Sequence, residues 1–138
     1  MLLPEIDEKA TIRGCKRKLR EYPRWREIAH DSAEQKITQE FTFMPRGGNG
    51  VSRPVENIAV RRVDAMNELE AIEQAVSGLY RPDYRRILIE KYLEYPTKPN
   101  WQIAQAIGFE RTAFQELLNN AILAFAELYR DGKLVVER

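Results

Sequence analysis

Apolar residues recur at steps of three and four along most of the chain, which predicts helices that each bury one face. Residues 4–22 form the first such segment, with an apolar stripe of Ile12, Cys15, Leu19 and Tyr22. Pro23 should end or kink this helix, because proline has no N–H to donate and its ring crowds the preceding turn. We expect a second helical segment over residues 24–39.

The middle of the chain changes from a turn-rich segment to a long helical pattern. Glycine, proline, asparagine and serine are concentrated in residues 40–54, which favours a loop, and no Gly-Lys-Ser/Thr sequence makes it a phosphate-binding loop. A regular apolar pattern then predicts a helix of roughly 24 residues. Its inward positions are Val55, Ile58, Ala59, Val63, Met66, Leu69, Ile72, Val76 and Leu79. The predicted helix ends at Ser77 and Gly78, and its length suits a connection between two parts or pairing with a second copy.

Three shorter helices are predicted in the C-terminal half. The first starts at Pro82 and ends before Pro96, and its inward positions are Tyr84, Ile87, Leu88 and Tyr92. Asn100 is a suitable N-cap for a helix over 101–107, and the last helix covers residue 110 to about 129. The fold class is therefore all-α, with an N-terminal helical region over 1–54 and a second helical region over 55–138.

Residues 100–120, NWQIAQAIGFERTAFQELLNN, have the spacing of a helix-turn-helix. Two helices that cross steeply need a small residue where their backbones approach, which Ala104 supplies, and a positive φ at the turn, which Gly108 supplies. Apolar residues must fill the corner, and these are Ile103, Ile107, Phe109, Phe114 and Leu117. The pattern favours the DNA-binding motif, and a generic pair of antiparallel helices is the alternative.

In such a motif the second helix enters the major groove and its exposed N-terminal residues touch base edges. We expect this role for Arg111, which suits guanine, for Gln115 or Asn119, which suit adenine, and for Thr112, which suits a phosphate or a thymine methyl. Glu110 and Glu116 repel phosphate unless they accept from cytosine or face away. The nearest candidates for phosphate contacts are Arg85, Arg86, Lys98 and Asn100.

Charge adds a second candidate surface. The chain has 22 basic and 21 acidic residues and a formal charge of +1, so it is not a strongly basic DNA-coating protein. Seven basic residues nevertheless lie within 11–26 against a single acid, Glu21. Four of them share one side of the first helix: Arg13, Lys16, Arg17 and Arg20. This basic patch suits a second DNA contact or an acidic protein surface, or it is a solvated face.

Catalysis and metal binding find no comparable support. His30 has no nucleophile-bearing motif around it, and Cys15 lies on the apolar stripe, where a buried, inert thiol is expected. One cysteine and one histidine do not make a zinc site, and no dinucleotide-binding glycine pattern occurs. We expect a protein that is not an enzyme and has no metal or cofactor. Without a signal peptide or a membrane-length apolar run, it is expected to be cytoplasmic, with no membrane partner.

Four segments resemble the ArpU family of phage transcriptional regulators. They are MPRGGNGVSRPVENIAVRR (44–62), YRRILIEKYL (84–93), WQIAQAIGFERTAF (101–114) and ELLNNAILAFAEL (116–128). The C-terminal part of that family is similar to the sigma-factor region that reads promoter elements. The resemblance implies a prophage-encoded protein that binds double-stranded DNA upstream of late lysis or packaging genes, with base contacts at Arg111, Thr112 and Gln115. RNA polymerase is a further expected partner.

Two other functions fit the same sequence. A component similar to a terminase small subunit would also use a helix-turn-helix but would assemble as a ring around a packaging site. A protein-interaction module would keep the sigma-like fold without touching DNA. The oligomeric state distinguishes a packaging ring from a regulator, for which a monomer or homodimer is expected. Salt-dependent duplex binding distinguishes a DNA-binding regulator from a protein-interaction module.

Overall fold

A computed structural model describes residues 3–30 and 52–138, with side chains over 3–30 and 60–138. It confirms the all-α class, since these residues form helices and include no β-strand beyond one isolated bridge between Ile6 and Glu137. A π-helical turn covers Ile89–Leu93, and a 3-10 turn covers Tyr129–Gly132. The helices are α1 (Glu8–Arg20), α2 (22–30), α3 (Ser52–Ser77), α4 (Pro82–Leu88), α5 (Asn100–Ile107) and α6 (Arg111–Leu128).

The first helix follows the predicted stripe closely. Its N-cap is Asp7, whose side chain accepts from the Ala10 N–H at 3.1 Å. Cys15 and Leu19 are fully buried and Tyr22 nearly so, whereas Ile12 is half-buried. The helix ends at Arg20 and is separated from α2 by a turn at Glu21. The break therefore lies two residues before Pro23, whose ring crowds the carbonyl four positions back.

The chain divides into two compact units. One combines Met1–Tyr22 with Ala71–Arg138, and the other is Pro23–Glu70. In the first unit α6 is central, because α1 and α4 both pack against it. Its core consists of Leu19, Ile72, Ile87, Leu88, Ile103, Leu118, Ile122 and Phe125. Helix α1, which chain order assigns to the predicted region 1–54, therefore shares a core with the C-terminal helices.

The segment after α6 returns to the start of α1. Arg130 and Asp131 have φ values of 44° and 58°, which turn the chain sharply at the end of α6. The N–H of Asp7 then donates to the Val136 carbonyl at 2.8 Å, and the N–H of Val136 donates to Thr11 Oγ1 at 2.9 Å. The second bond gives a partner to the hydroxyl of Thr11, which is 1% exposed and would otherwise be a costly buried polar group.

Helix α3 begins three residues before the predicted start at Val55. Pro54 is tolerated within its first turn because the N–H groups there have no intrahelical acceptor. The rest of the predicted loop, residues 40–51, and most of the predicted helical segment 24–39, beyond residue 30, lie outside the described residues. The predicted end of the helix at Ser77 is confirmed, and Gly78 donates its N–H to the Gln74 carbonyl at 2.9 Å.

The predicted apolar face of α3 is only partly buried. Ile72 and Val76 are buried, but Val63 and Met66 are 55% and 51% exposed, so their assignment to the inward stripe is wrong. The buried face passes through Ala65, seven residues before Ile72, and positions 63 and 66 lie roughly a quarter of a turn or more away from it. The predicted inward side chains at 55, 58 and 59 lie outside the described side chains. None of the described helices is both long and apolar enough to cross a membrane.

The thiol of Cys15 is buried, as the sequence predicts, and it should be unreactive toward alkylating reagents in the folded protein. Burial raises the pKa of the thiol from its ordinary 9.0 to about 12. Because the thiolate is the reactive form, we expect iodoacetamide at pH 8 to label the native protein far more slowly than the guanidinium-unfolded chain. Comparable labelling rates in the two states, measured by mass spectrometry, would contradict this prediction.

The same shift predicts how stability changes in alkaline solution. In the unfolded chain the thiol loses its proton near pH 9, whereas the folded chain retains it to about pH 12. Between these values the unfolded state binds fewer protons, so the free energy of unfolding should fall as pH rises. A Cys15→Ala variant lacks this contribution, and its denaturation midpoint should decline less steeply between pH 9 and pH 10.5.

Candidate nucleic-acid interface

A left-handed glycine joins α5 to α6. Gly108 has φ 91° and ψ 31°, a conformation that strains residues with a Cβ, and its N–H donates to the Ala104 carbonyl at 2.8 Å. The N–H of Phe109 donates to the same carbonyl at 2.9 Å. Ala104 is 6% exposed. The predicted positive φ at Gly108 is therefore confirmed, and the small side chain of Ala104 lies in the packed part of the corner.

Most of the corner between α5 and α6 is filled as predicted. Ile103, Phe114 and Leu117 are buried, and Ile107 is half-buried. The prediction for Phe109 is wrong, since its side chain is 39% exposed. It lies in the short link between Gly108 and the start of α6, where it lines a surface cavity instead of the core.

The start of α5 also differs from the prediction. Pro99 occupies the N-cap, and its carbonyl accepts from the N–H groups of Gln102 and Ile103 at 3.1 and 3.2 Å. Asn100 is the first helical residue and does not cap the helix. Its side-chain oxygen instead accepts from Lys91 Nζ at 2.6 Å, which ties the start of α5 to the π-helical turn.

The four side chains predicted to contact bases lie on one side of α6. Arg111, Thr112 and Gln115 are exposed and Asn119 is half-buried. At 100° per residue these positions cover an arc of about 100°, and Phe114 lies outside that arc, about 60° beyond Arg111, on the buried side. Gln115 donates to Asn119 Oδ1 at 3.1 Å, which orients both amides. Among the described residues, the Arg111 guanidinium makes no ion pair or hydrogen bond.

The residues predicted to contact phosphates have partners within the protein. Arg85 donates to the Leu79 carbonyl just after α3, and Arg86 Nε lies 3.7 Å from Glu90 Oε2. Lys98 Nζ lies 3.7 Å from Glu90 Oε1 and 4.0 Å from a Glu94 oxygen. With Asn100 Oδ1 accepting from Lys91, each of the four side chains has a polar contact inside the protein. Their role in phosphate binding stays a prediction.

A concave surface that encloses a cavity of about 890 Å³ lies at the start of α5 and α6. The described residues of its lining include two cationic groups, no carboxylate and a tryptophan that is 68% exposed. The residues involved are Lys91, Asn100, Trp101, Ala104, Gln105, Phe109, Arg111, Phe114 and Gln115. Lys91 and Trp101 were not singled out as contact residues by the sequence, because only the fold brings them beside Arg111.

Lys91 links this cavity electrostatically to the basic patch of α1. Burial lowers the pKa of Lys91, and the positive charges of Lys16 and Arg20 lower it further. Helix α1 packs against the π-helical turn that carries Lys91, which explains how residues so distant in sequence affect its charge. Part of the predicted basic patch therefore adjoins the surface formed by α5 and α6.

Gly108 permits a direct test of the turn. A Cβ added there meets no atom within 4 Å, so the cost of Gly108→Ala arises from its φ of 91° alone. We expect the free energy of unfolding, measured in urea, to fall by about 1–2 kcal/mol. Gly14→Ala is the matched control, since its Cβ also meets no atom within 4 Å but the residue lies inside α1. That variant should be more stable than the wild type by about 0.5–1 kcal/mol. Equal effects of the two substitutions would contradict the left-handed conformation of Gly108.

Comparisons with known proteins identify relatives along the whole chain. No family model and no solved structure matches it significantly. The chain is 87% identical over 138 residues to the proposed autolysin regulatory protein ArpU of Streptococcus phage O1205, with both chains covered completely. It is 25% identical over 134 residues to a protein of the same name from Enterococcus hirae, covering 97% of this chain and 96% of the other. The chain belongs to the ArpU family.

Proposed function

We propose that this protein regulates phage genes by binding double-stranded DNA through a helix-turn-helix formed by α5, the Gly108 turn and α6. The observation that carries the proposal is the arc of exposed polar residues at the start of α6, immediately after the turn. The names of the two relatives, both proposed autolysin regulatory proteins, support a regulatory role, and one of them is a phage protein.

In this proposal the start of α6 lies in the major groove. Arg111 donates two hydrogen bonds to guanine O6 and N7, for which its guanidinium needs to surrender no internal partner. Gln115 and Asn119 pair with adenine, and Thr112 contacts a phosphate or a thymine methyl. Glu110 and Glu116, both exposed, accept from cytosine amino groups or point away from the backbone.

The resemblance to the promoter-reading region of sigma factors suggests how DNA binding is used. The protein would bind upstream of late lysis or packaging genes and contact RNA polymerase through another surface. Arg85, Arg86, Lys98 and Asn100 add phosphate contacts beside the internal contacts that each of them makes.

Recovery of bound genomic fragments tests the function. The purified protein is mixed with sheared DNA from the genome that encodes it, near physiological salt, and the bound fragments are sequenced. An Arg111→Ala/Gln115→Ala variant is the matched control, since both side chains are exposed. Enrichment upstream of a late operon, abolished in the variant, supports the proposal.

Other outcomes favour the other functions. Enrichment at a packaging start site, with eight or more subunits by light scattering, would assign the chain to packaging and contradict the regulator. A monomer or homodimer is expected for the regulator. An absence of enrichment and of salt-dependent duplex binding would identify a protein-interaction module and overturn DNA binding.

A further inference from the structure

Cationic groups from two distant parts of the sequence meet beside the candidate interface. Lys16 and Arg20 lie one helical turn apart on α1, and α1 packs against the π-helical turn that carries Lys91. Lys91 lines the same concave surface as Arg111 and Gln115 of α6. The fold thus joins the basic side of α1 to the cavity at the start of α6.

These charges are not neutralised within the part of the chain that the structure describes. Lys16 and Arg20 make no ion pair there, and the one polar bond of Lys91 is to the neutral Asn100. Neighbouring cations differ in this respect, because Lys18 lies 3.2 Å from Glu21 and Lys98 lies beside Glu90.

Holding like charges together is unfavourable unless a negative partner compensates them. Lys16 and Arg20 lie near enough to Lys91 for their positive charges to lower its pKa, so each of them repels the Lys91 ammonium. Among the described residues, none of those that line the adjoining cavity carries a carboxylate. The arrangement is therefore suited to a polyanion that approaches along this side of the molecule.

We propose that Lys16, Arg20 and Lys91 form a phosphate-binding cluster that holds the DNA backbone next to the groove entered by α6. This inference rests on the proposed function, because it takes duplex DNA as the polyanion. DNA is favoured over an acidic protein because the cluster continues into the cavity lined by Arg111 and Gln115. A helix in the major groove has a phosphate backbone on each side. Protein elements that flank the helix bind this backbone.

The salt dependence of DNA binding tests this cluster. The affinity for a random-sequence duplex of 30 base pairs is measured by fluorescence anisotropy over a series of salt concentrations, and then for the fragment enriched from the genome. Removing one phosphate contact should reduce the slope of log K against log salt by about 0.9. We expect the variant Lys16→Gln/Arg20→Gln/Lys91→Gln to lose nearly three units of slope and to keep its preference for the enriched fragment.

Two further variants control for net charge and for folding. Arg61→Gln/Lys133→Gln/Arg138→Gln removes as many charges from exposed positions outside the cluster and should leave the slope close to that of the wild type. The variant Lys16→Gln/Arg20→Gln leaves the Lys91 bond to Asn100 intact. The slope of log K against log salt should fall by nearly two in this variant, which tests the cluster even where the triple variant folds poorly.

The possible results separate the cluster from the helix-turn-helix. An equal slope for the cluster and control variants would overturn the cluster while leaving the proposed function standing. A cluster-dependent slope on the random duplex, without any enriched genomic site, would support the cluster and count against sequence-specific regulation. Loss of binding to poly-L-glutamate with an unchanged slope on DNA would instead assign the cluster to an acidic protein and overturn the proposal.

Discussion

Replacing Phe125 by alanine should lower the free energy of unfolding by about 3–5 kcal/mol, a large fraction of the stability of a domain of this size. The side chain is fully buried in α6, the helix against which α1 and α4 pack. Its ring also stacks on that of Tyr129, with centroids 5.6 Å apart. The substitution removes apolar surface from the core and leaves a cavity. Helices α1, α4 and α6 cannot all move to fill that cavity.

Urea denaturation followed by circular dichroism measures this destabilisation. Glu127→Ala is the matched control on the same helix, because Glu127 is exposed and its substitution should change stability by no more than about 0.5 kcal/mol. A Phe125→Ala variant with a denaturation midpoint equal to that of the control would show that α6 is not the centre of the core.

Replacing Arg111 by alanine should weaken binding to the preferred duplex by about 1–3 kcal/mol, or roughly 5- to 160-fold. Arg111 is exposed at the first position of α6, and no internal contact must be broken when it binds. The effect should be smaller on a random duplex, because a base contact acts only at the right base pair. Stability should change little.

Anisotropy titrations with both duplexes distinguish a base contact from a charge effect. Arg61→Ala, on α3, removes one exposed arginine that is not among the predicted contact residues, and the variant should bind both duplexes like the wild type. Equal reductions in affinity for the preferred and random duplexes in Arg111→Ala would identify a phosphate contact and contradict its role in base recognition.

Local sequence signals predicted most of the helices and the turn between α5 and α6. The spacing of Phe114, Leu117 and Leu118 identified the buried side of α6, and Gly108 identified the turn, because each depends only on neighbouring residues. The burial of Cys15 followed in the same way from the α1 stripe. Such features can be predicted because one helix period or one φ angle determines them.

Features that depend on tertiary packing were not predictable. Spacing defines an apolar side of α3 but not whether another element covers it, so Val63 and Met66 were wrongly assigned to the buried face. The position of Lys91 beside Lys16 and Arg20 follows from the packing of α1 on the π-helical turn, which no local pattern encodes. The partners of Arg85 and Lys98 likewise appear only in the folded chain.

The packing of α1 against α6 has a consequence for synthesis of the protein. Ninety-one positions separate the end of α1 at Arg20 from the start of α6 at Arg111. At 5–20 residues per second, the ribosome needs roughly 5–20 s to synthesise the residues between the two helices. During that time α1 has no α6 to pack against. The apolar side of α1, including Leu19, is thus open to solvent or to chaperones throughout elongation, and the core closes only after α6 has emerged from the exit tunnel.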